Sequence, residues 1–390
     1  MYSRAIKDRL LQGASIYPVV TITGPRQSGK TTLASSVFKN YKYYDLEDPF
    51  ILEEIKSDPA SFINYNSDGV ILDEVQNYPE ILSYIKAVVD KDRKKHKGQF
   101  ILTGSQQFSL LNAITQSLAG RTDLLALYPL TFSELRQHNN SYDEADWMVK
   151  GFFPEVHQEN LPLDIFYTNY VRTYIERDLR KLLLVEDLSL FRNFLCLCAG
   201  RVGQLLNIQG ICNEIGIGFV TAKKWLSLLE TSYVIQILQP YHSNFGKRIV
   251  KTPKLYFIDP GLVCHLLKIK TKEHLLAHPL KGQIFENMVV MDIVKSRVNK
   301  GLMHDLYFYR DSNQKEIDVL LEVANDLYPL EIKSSHVFNA KFLSSMESFK
   351  KMTDKFKHGY LSYCGDPINS KEYITYCNYK NIGEIMANIK

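Results

Sequence analysis

Residues 24–32 constrain the fold of this chain more than any other stretch. Gly24, Pro25, Arg26, Gln27, Ser28, Gly29, Lys30, Thr31 and Thr32 fit the spacing G-x-x-x-x-G-K-[ST]. Two glycines let the backbone close round an anion with its amide N–H groups turned inward. Residues 17–23 read as a short buried strand, and 32–38 read as a helix whose N-terminus faces the anion. Strand, loop and helix together commit the start of the chain to an α/β layer. In that loop Lys30 is placed to neutralise β- and γ-phosphates, and the Thr31 hydroxyl is placed to ligate Mg²⁺.

A phosphate cradle of this kind needs a second strand that brings carboxylates to the metal. Residues 69–74 supply one: three apolar residues, then Asp73 and Glu74 at the C-terminal end, where ligands bind in open α/β sheets. Asp73 takes the Mg²⁺ side, and Glu74 is positioned to polarise an attacking water. Residues 99–107 read as a third strand with a polar end. Ser105, with Gln106 second, is the candidate for a sensor side chain at the γ-phosphate or the lytic water, against the alternative of an ordinary strand end. Arg121 has two readings of equal weight. It is a finger reaching the phosphate of a neighbouring subunit, or a structural arginine at a helix end.

With 390 residues the chain exceeds one ordinary core, so two to four domains are expected. Hydrophobic residues at 45% and charged residues at 23% describe a folded chain rather than a disordered one. A net charge of +4 permits nucleic-acid binding without arguing for it. The first nine residues lack the apolar core of a secretory signal, and no run approaches the ~18 apolar residues of a membrane span. The cysteines at 196, 198, 212, 264, 364 and 377 show no CxxC spacing. They read as reduced structural thiols of a cytoplasmic protein, with no zinc expected.

The α/β pattern runs over residues 1–135. Residues 41–46 read as another strand, 81–89 as an amphipathic helix, and the basic run 91–97 as a solvated loop. Residues 136–200 turn helical and read as a lid or connector. Residues 201–275 read as a winged helix-turn-helix. A first helix over 208–216 ends on glycine, and a second over 219–229 carries Thr221, Lys223 and Lys224 on its early turns. Wing strands follow at 233–238 and 254–259, with a basic loop at 244–248 between them. DNA docking of the second helix, with phosphate contacts from the wing, is the leading expectation; packing or oligomerisation is the alternative.

Residues 276–390 carry a second constellation. Residues 282–290 read as a helix bearing Glu286, 306–310 as a strand, 315–321 as its hairpin partner with Asp318 inward, and 328–333 as a third strand. Glu331 and Lys333 share a face of that strand because side chains repeat every two residues. An acid on one strand with Glu-x-Lys on the next suits a metal-dependent hydrolytic site. Asp318 and Glu331 would hold one or two Mg²⁺ ions (or Mn²⁺), Glu286 would be an accessory acid, and Lys333 would orient the attacking water. The alternative is a fold of the same kind that binds without cutting.

Taken in order, these motifs resemble the AAA-superfamily P-loop ATPases fused to a C-terminal domain of unknown function with a PD-(D/E)xK nuclease-like fold. The resemblance rests on residues 24–32, 72–76, 102–105, 118–121, 128–135, 285–287, 315–318 and 331–335. One departure is Phe152, which stands where the family tends to carry the second of two glycines. The resemblance implies ATP binding and hydrolysis. The resulting expectation is an α/β protein with four parts: an N-terminal P-loop AAA-type ATPase domain, a helical connector, a winged helix-turn-helix and a C-terminal α/β nuclease-like domain. It would be a cytoplasmic, Mg²⁺-dependent ATPase acting on DNA, without a membrane partner, and either a homo-oligomer or subject to nucleotide-dependent assembly. An ATP-gated nuclease and a nucleotide-switched interaction module with slow turnover are the rival expectations.

Overall fold

The computed structural model describes residues 2–66, 68–91, 97–105, 114, 116–136, 141–158, 161–176, 187–241, 250–302, 305–367 and 370–390. Gln106, most of the basic run 91–97 and the basic loop 244–248 lie outside the described residues. The chain forms two compact units. One comprises Met1–Pro129 with Thr231–Tyr233 and Val298–Gly301; the other comprises Leu130–Glu230, Val234–Arg297 and Leu302–Lys390.

In the first unit five strands make one parallel sheet: β1 (Val19–Thr23), β2 (Lys42–Asp45), β3 (Val70–Asp73), β4 (Phe100–Thr103) and β5 (Thr122–Ala126). Their order is β2-β3-β4-β1-β5. The apolar runs alternate between two cores, as a sheet covered on both faces requires. Val70, Leu72, Phe100 and Leu102 enter one cluster, while Ile71, Ile101, Val20 and Ile22 enter the other. Because β4 sits between β1 and β3, with Ile22 level with Thr103 and Leu72 level with Leu102, the three strands end together. That common edge is where the helix Lys30–Val37 begins. Tyr233, from the short inserted segment, reaches the same edge, its hydroxyl 2.9 Å from Thr23 Oγ1.

The second unit starts with helices. Asp143 opens Glu144–Lys150 with a capping box, its side chain accepting from the backbone N–H of Ala145 and Asp146. Gly151 follows with φ 73°, and Phe152 is buried after it. The Phe152 N–H donates to Asp259 (2.6 Å), and its ring stands edge-on to Phe132 at 4.9 Å. A large side chain at 152 is thus part of the aromatic core here. Helix Ile208–Ile215 is capped by Asn207 and ends on Gly216 in the left-handed region, as the sequence suggests. Helix Phe219–Thr231 exposes Thr221, Lys223 and Lys224.

Seven strands form the unit's sheet, in the order β12-β11-β10-β9-β8-β6-β7. They are β6 (Ile235–Pro240), β7 (Lys254–Phe257), β8 (Leu306–Arg310), β9 (Glu316–Val323), β10 (Asp326–Lys333), β11 (Gly359–Tyr363) and β12 (Ile374–Asn378). The strands read as a wing, β6 and β7, do pair antiparallel. However, β6 also joins β8 in parallel, so this hairpin is the edge of the large sheet. Helix Lys281–Asn299 carries Glu286. Among the described residues no helix is long and apolar enough to cross a membrane, and all six cysteines are free.

Candidate functional sites

The loop after β1 is shaped by residues that only glycine or a strained backbone can satisfy. Gly24 has φ 138°, and a Cβ there would lie 2.2 Å from the Leu127 carbonyl oxygen; Gln27 and Gly29 are also at positive φ. Arg4 holds the loop from outside, donating to the carbonyls of Ser28 and Tyr128, both at 2.6 Å. In the loop the Ser28 hydroxyl is buried without a hydrogen-bond partner, and an anionic oxygen is an acceptor that suits it. Lys30 is buried, and its Nζ donates to the carbonyls of Gly24 (3.2 Å) and Pro25 (2.9 Å). Burial lowers its pKa to about 8; Glu74 and Asp73 oppose this, and Arg26 adds to it.

At the adjoining strand ends, Asp73 gathers three hydroxyls. Its Oδ2 accepts from Thr31 Oγ1 (2.7 Å) and from the Tyr43 hydroxyl (2.8 Å), and its Oδ1 accepts from Thr103. Burial, then the bond to Asp73, raises the Tyr43 pKa, so this phenol stays a donor. Glu74 follows with φ 51°, outside the strand conformation, and its N–H donates to Thr103 Oγ1 (3.3 Å). The turn brings the Glu74 carboxylate to Ser105, whose hydroxyl donates to Oε2 (3.0 Å), and Gln76 donates to the same oxygen. Thr31, Asp73, Glu74 and Ser105 therefore meet in one hydrogen-bonded network. Thr31 and Asp73 offer the hard oxygen donors that Mg²⁺ takes. Arg121 is clamped by Asp90 through two contacts of 2.6 and 2.9 Å and also donates to the Ala119 carbonyl. Tyr43, Thr103 and Arg4 were not singled out from sequence. A hydroxyl at the end of β4 is the one signal that could have found Thr103.

The Lys30 pKa has a testable sign. Without nucleotide the lysine is charged below about pH 8, and bound phosphates would hold the proton to higher pH. ATP affinity is expected to be level below pH 8 and to fall, by at most about tenfold per unit, as pH rises above it. Lys30→Ala should bind weakly with a flat profile in equilibrium titrations. Because burial lowers this pKa in the folded state, stability of the nucleotide-free protein should rise as pH climbs from about 8 towards 10.5.

The second unit brings Glu286, Asp318, Glu331 and Lys333 to neighbouring positions. Asp318 Oδ2 accepts from the Ile332 N–H (2.8 Å) and from Lys333 Nζ (3.3 Å), and Lys333 also donates to Glu331 Oε2 (2.8 Å). Burial opposes the charge on Lys333, but Asp318 and Glu331 override it and raise its pKa. Burial and then Asp318 push Glu331 up to about 8. The other oxygen of Glu331, Oε1, is buried with no partner. Glu286 accepts from Lys254 Nζ (2.9 Å) and from the Tyr256 hydroxyl (2.6 Å). Burial raises its pKa, Lys254 opposes this, and Asp318 adds to it.

In this second site Lys254 is a residue that sequence reasoning missed. It is 2% exposed, lies 2.5 Å from Glu316 as well as bonding Glu286, and sits 5.5 Å from the centre of the Phe308 ring. Four carboxylates, Glu286, Glu316, Asp318 and Glu331, thus meet three cations, Lys254, Lys333 and Arg310, leaving a formal excess of one negative charge. A proton on Glu331 cancels that excess. A divalent cation held by Asp318 and the orphan Glu331 oxygen would displace that proton, and these hard oxygen donors suit Mg²⁺.

Residues 17–136 match the family described as an AAA domain. The nucleotide site above therefore belongs to an AAA-type ATPase domain, which implies binding of ATP. Residues 141–273 and 281–382 match two families described as domains of unknown function, DUF8612 and DUF4143. Uncharacterized proteins of Mycobacterium bovis and Mycobacterium tuberculosis are each 29% identical over 328 residues, covering 83% of this chain and 72% of theirs. An uncharacterized protein of Haemophilus influenzae is 22% identical over 360 residues, covering 83% of this chain and 84% of its own. Among solved structures, a Walker-type ATPase of Pyrococcus abyssi aligns with a TM-score of 0.45 and 14% identity, over 67% of this chain and 94% of that one.

Proposed function

We propose that the chain is a Mg²⁺-dependent ATPase whose nucleotide cycle controls action on DNA by its C-terminal half. The observation that carries the reading is the network linking Thr31, Asp73, Glu74 and Ser105. Residues 24–32 would hold the triphosphate, with Lys30 drawing negative charge from the β- and γ-oxygens. Thr31 and Asp73 would share the Mg²⁺, whose chemistry is to neutralise charge on the transferring phosphoryl group. Ser105 orients the Glu74 carboxylate, and Glu74 takes the proton side of the attacking water. Exposed Thr221, Lys223 and Lys224 on one helix support a DNA contact. The clamp by Asp90 favours the structural reading of Arg121 over a finger between subunits. The test is ATP hydrolysis by wild type and Lys30→Ala with and without duplex DNA. Turnover that Lys30→Ala shares would remove the enzyme reading, and turnover indifferent to DNA would remove the DNA part.

The gathering of Asp318, Glu331, Lys333 and Glu286 favours a second reading, an ATP-gated, metal-dependent DNA nuclease. Asp318 and Glu331 would hold the metal and Lys333 would orient the attacking water. Because Glu331 is pushed up to about 8, protons compete with the metal. Mg²⁺ or Mn²⁺ affinity is expected to rise with pH up to about 8 and then level off. Without metal, the raised pKa makes folding stability fall between about pH 4.5 and 8, and added metal should restore it. Thermal melts across that range check both. Cleavage that survives Asp318→Ala and Lys333→Ala would eliminate this site as its source.

A further inference from the structure

The second unit holds a separate group of ligand-type side chains. Glu144 begins the helix Glu144–Lys150, His336 lies three residues beyond β10, and Cys364 follows β11 directly. One ligand atom from each of the three lies within 4.8 Å of the other two. The backbone explains the meeting. β10 and β11 run parallel, with Lys333 level with Tyr363, so the segments leaving their C-terminal ends are neighbours. The Cys364 N–H donates to the Ser335 carbonyl (3.0 Å), and a Cβ on Gly365 would lie 2.1 Å from the His336 carbonyl oxygen. The start of the helix is fixed in turn by the Asp143 capping box and by Lys272, which pairs with Asp143 and Asp146.

His336 Nε2 lies 2.8 Å from Glu144 Oε1. A hydrogen bond alone accounts for these two, since Glu144 is buried and needs a partner. It does not account for Cys364, a free, buried thiol beside that carboxylate. Burial, then Glu144, pushes this thiol up to about 12, so without metal it holds its proton. Lys281 and Lys380 pull the other way. Carboxylate, imidazole and thiolate are the donors that zinc uses, and the two anions would balance its double charge with neutral histidine.

We propose that Glu144, His336 and Cys364 bind a zinc ion, leaving its fourth position to water or a substrate oxygen. Bonds of about 2.0–2.3 Å place tetrahedral ligand atoms roughly 3.5 Å apart, so the widest pair closes by roughly 1 Å. The His336 side chain is 63% exposed, so packing does not fix its position against the other two ligands. A zinc ion here would run against the expectation from cysteine spacing. Zinc spacing rules look for ligands close in sequence, whereas His336 is 192 residues from Glu144 and the sheet brings them together. Its donor set differs from that of Asp318 and Glu331 by the imidazole and the sulfur.

The test uses the full chain stripped with a chelator and titrated with Co²⁺, then Zn²⁺. Wild type is expected to develop the near-ultraviolet thiolate-to-cobalt charge-transfer band, which added Zn²⁺ abolishes. Cys364→Ser should lose the band while its circular dichroism is unchanged. His336→Ala, made at an exposed position, should weaken Co²⁺ binding at least about tenfold. No band in wild type, a band undiminished in Cys364→Ser, or unchanged affinity in His336→Ala would overturn the proposal.

Discussion

Glu74→Gln is expected to lower ATP turnover by about 100- to 1000-fold while leaving nucleotide affinity within a few-fold of wild type. The glutamine keeps the shape of the side chain and an oxygen able to accept from Ser105, the contact that orients Glu74. It removes only the negative charge that, on the proposed function, would polarise the attacking water. The backbone supports the assignment. Glu74 is held at φ 51°, a conformation that costs a residue of this type about 1 kcal/mol or more, where β3 ends against β4. That strain puts the carboxylate beside Ser105 rather than along the strand. Lys30→Ala should fail differently, through lost affinity, because Lys30 is the buried cation of the cradle. Single-turnover hydrolysis and equilibrium binding of a non-hydrolysable analogue separate the two. Equal turnover in wild type and Glu74→Gln would show that Ser105 orients a carboxylate with no part in the chemistry.

What could be read from the sequence follows the distance over which each feature is encoded. The cradle is nine consecutive residues, and Asp73 and Glu74 close an apolar run whose two-core alternation explains why it reads as buried throughout. Asp318, Glu331 and Lys333 were found because a hairpin pairs nearby segments and strand periodicity puts the last two on one face. Partners supplied by other strands were not legible. Tyr43 and Thr103 reach Asp73 only because β2 and β4 flank β3, and Arg4 grips the Tyr128 carbonyl 124 residues away. β6 and β7 read as a wing because their pairing is local, while the bond that makes them an edge of the large sheet runs to β8. Arg121 carried two equal readings in the sequence, and the Asp90 carboxylate that pairs with it lies 31 residues away, beyond the reach of local spacing.

Lys254 is the sharpest case of a residue whose sequence says nothing of its weight, and Lys254→Met is expected to destabilise the second unit by about 3–5 kcal/mol. Its side chain is 2% exposed, and its ammonium serves two carboxylates, Glu286 and Glu316. Methionine fills the same volume, so the loss is electrostatic rather than a cavity. Glu316 retains Arg310 at 3.0 Å and suffers little. Among the described residues Glu286 then keeps the Tyr256 hydroxyl as a donor, and burial already raises its pKa with Lys254 in place. Without the lysine that rise grows, so Glu286 should take up a proton on folding. The penalty should then be smaller in acid and grow with pH, because a carboxyl whose pKa is raised by folding loses stability as pH rises through that pKa. Adding Glu286→Gln to Lys254→Met should recover most of the loss, since a neutral pair of similar size leaves no charge buried alone. Denaturant unfolding of wild type, both single variants and the double variant, at acid and neutral pH, measures the coupling directly. A double variant no more stable than Lys254→Met would mean that Lys254 acts through packing on Phe308 and not as the counter-charge of Glu286.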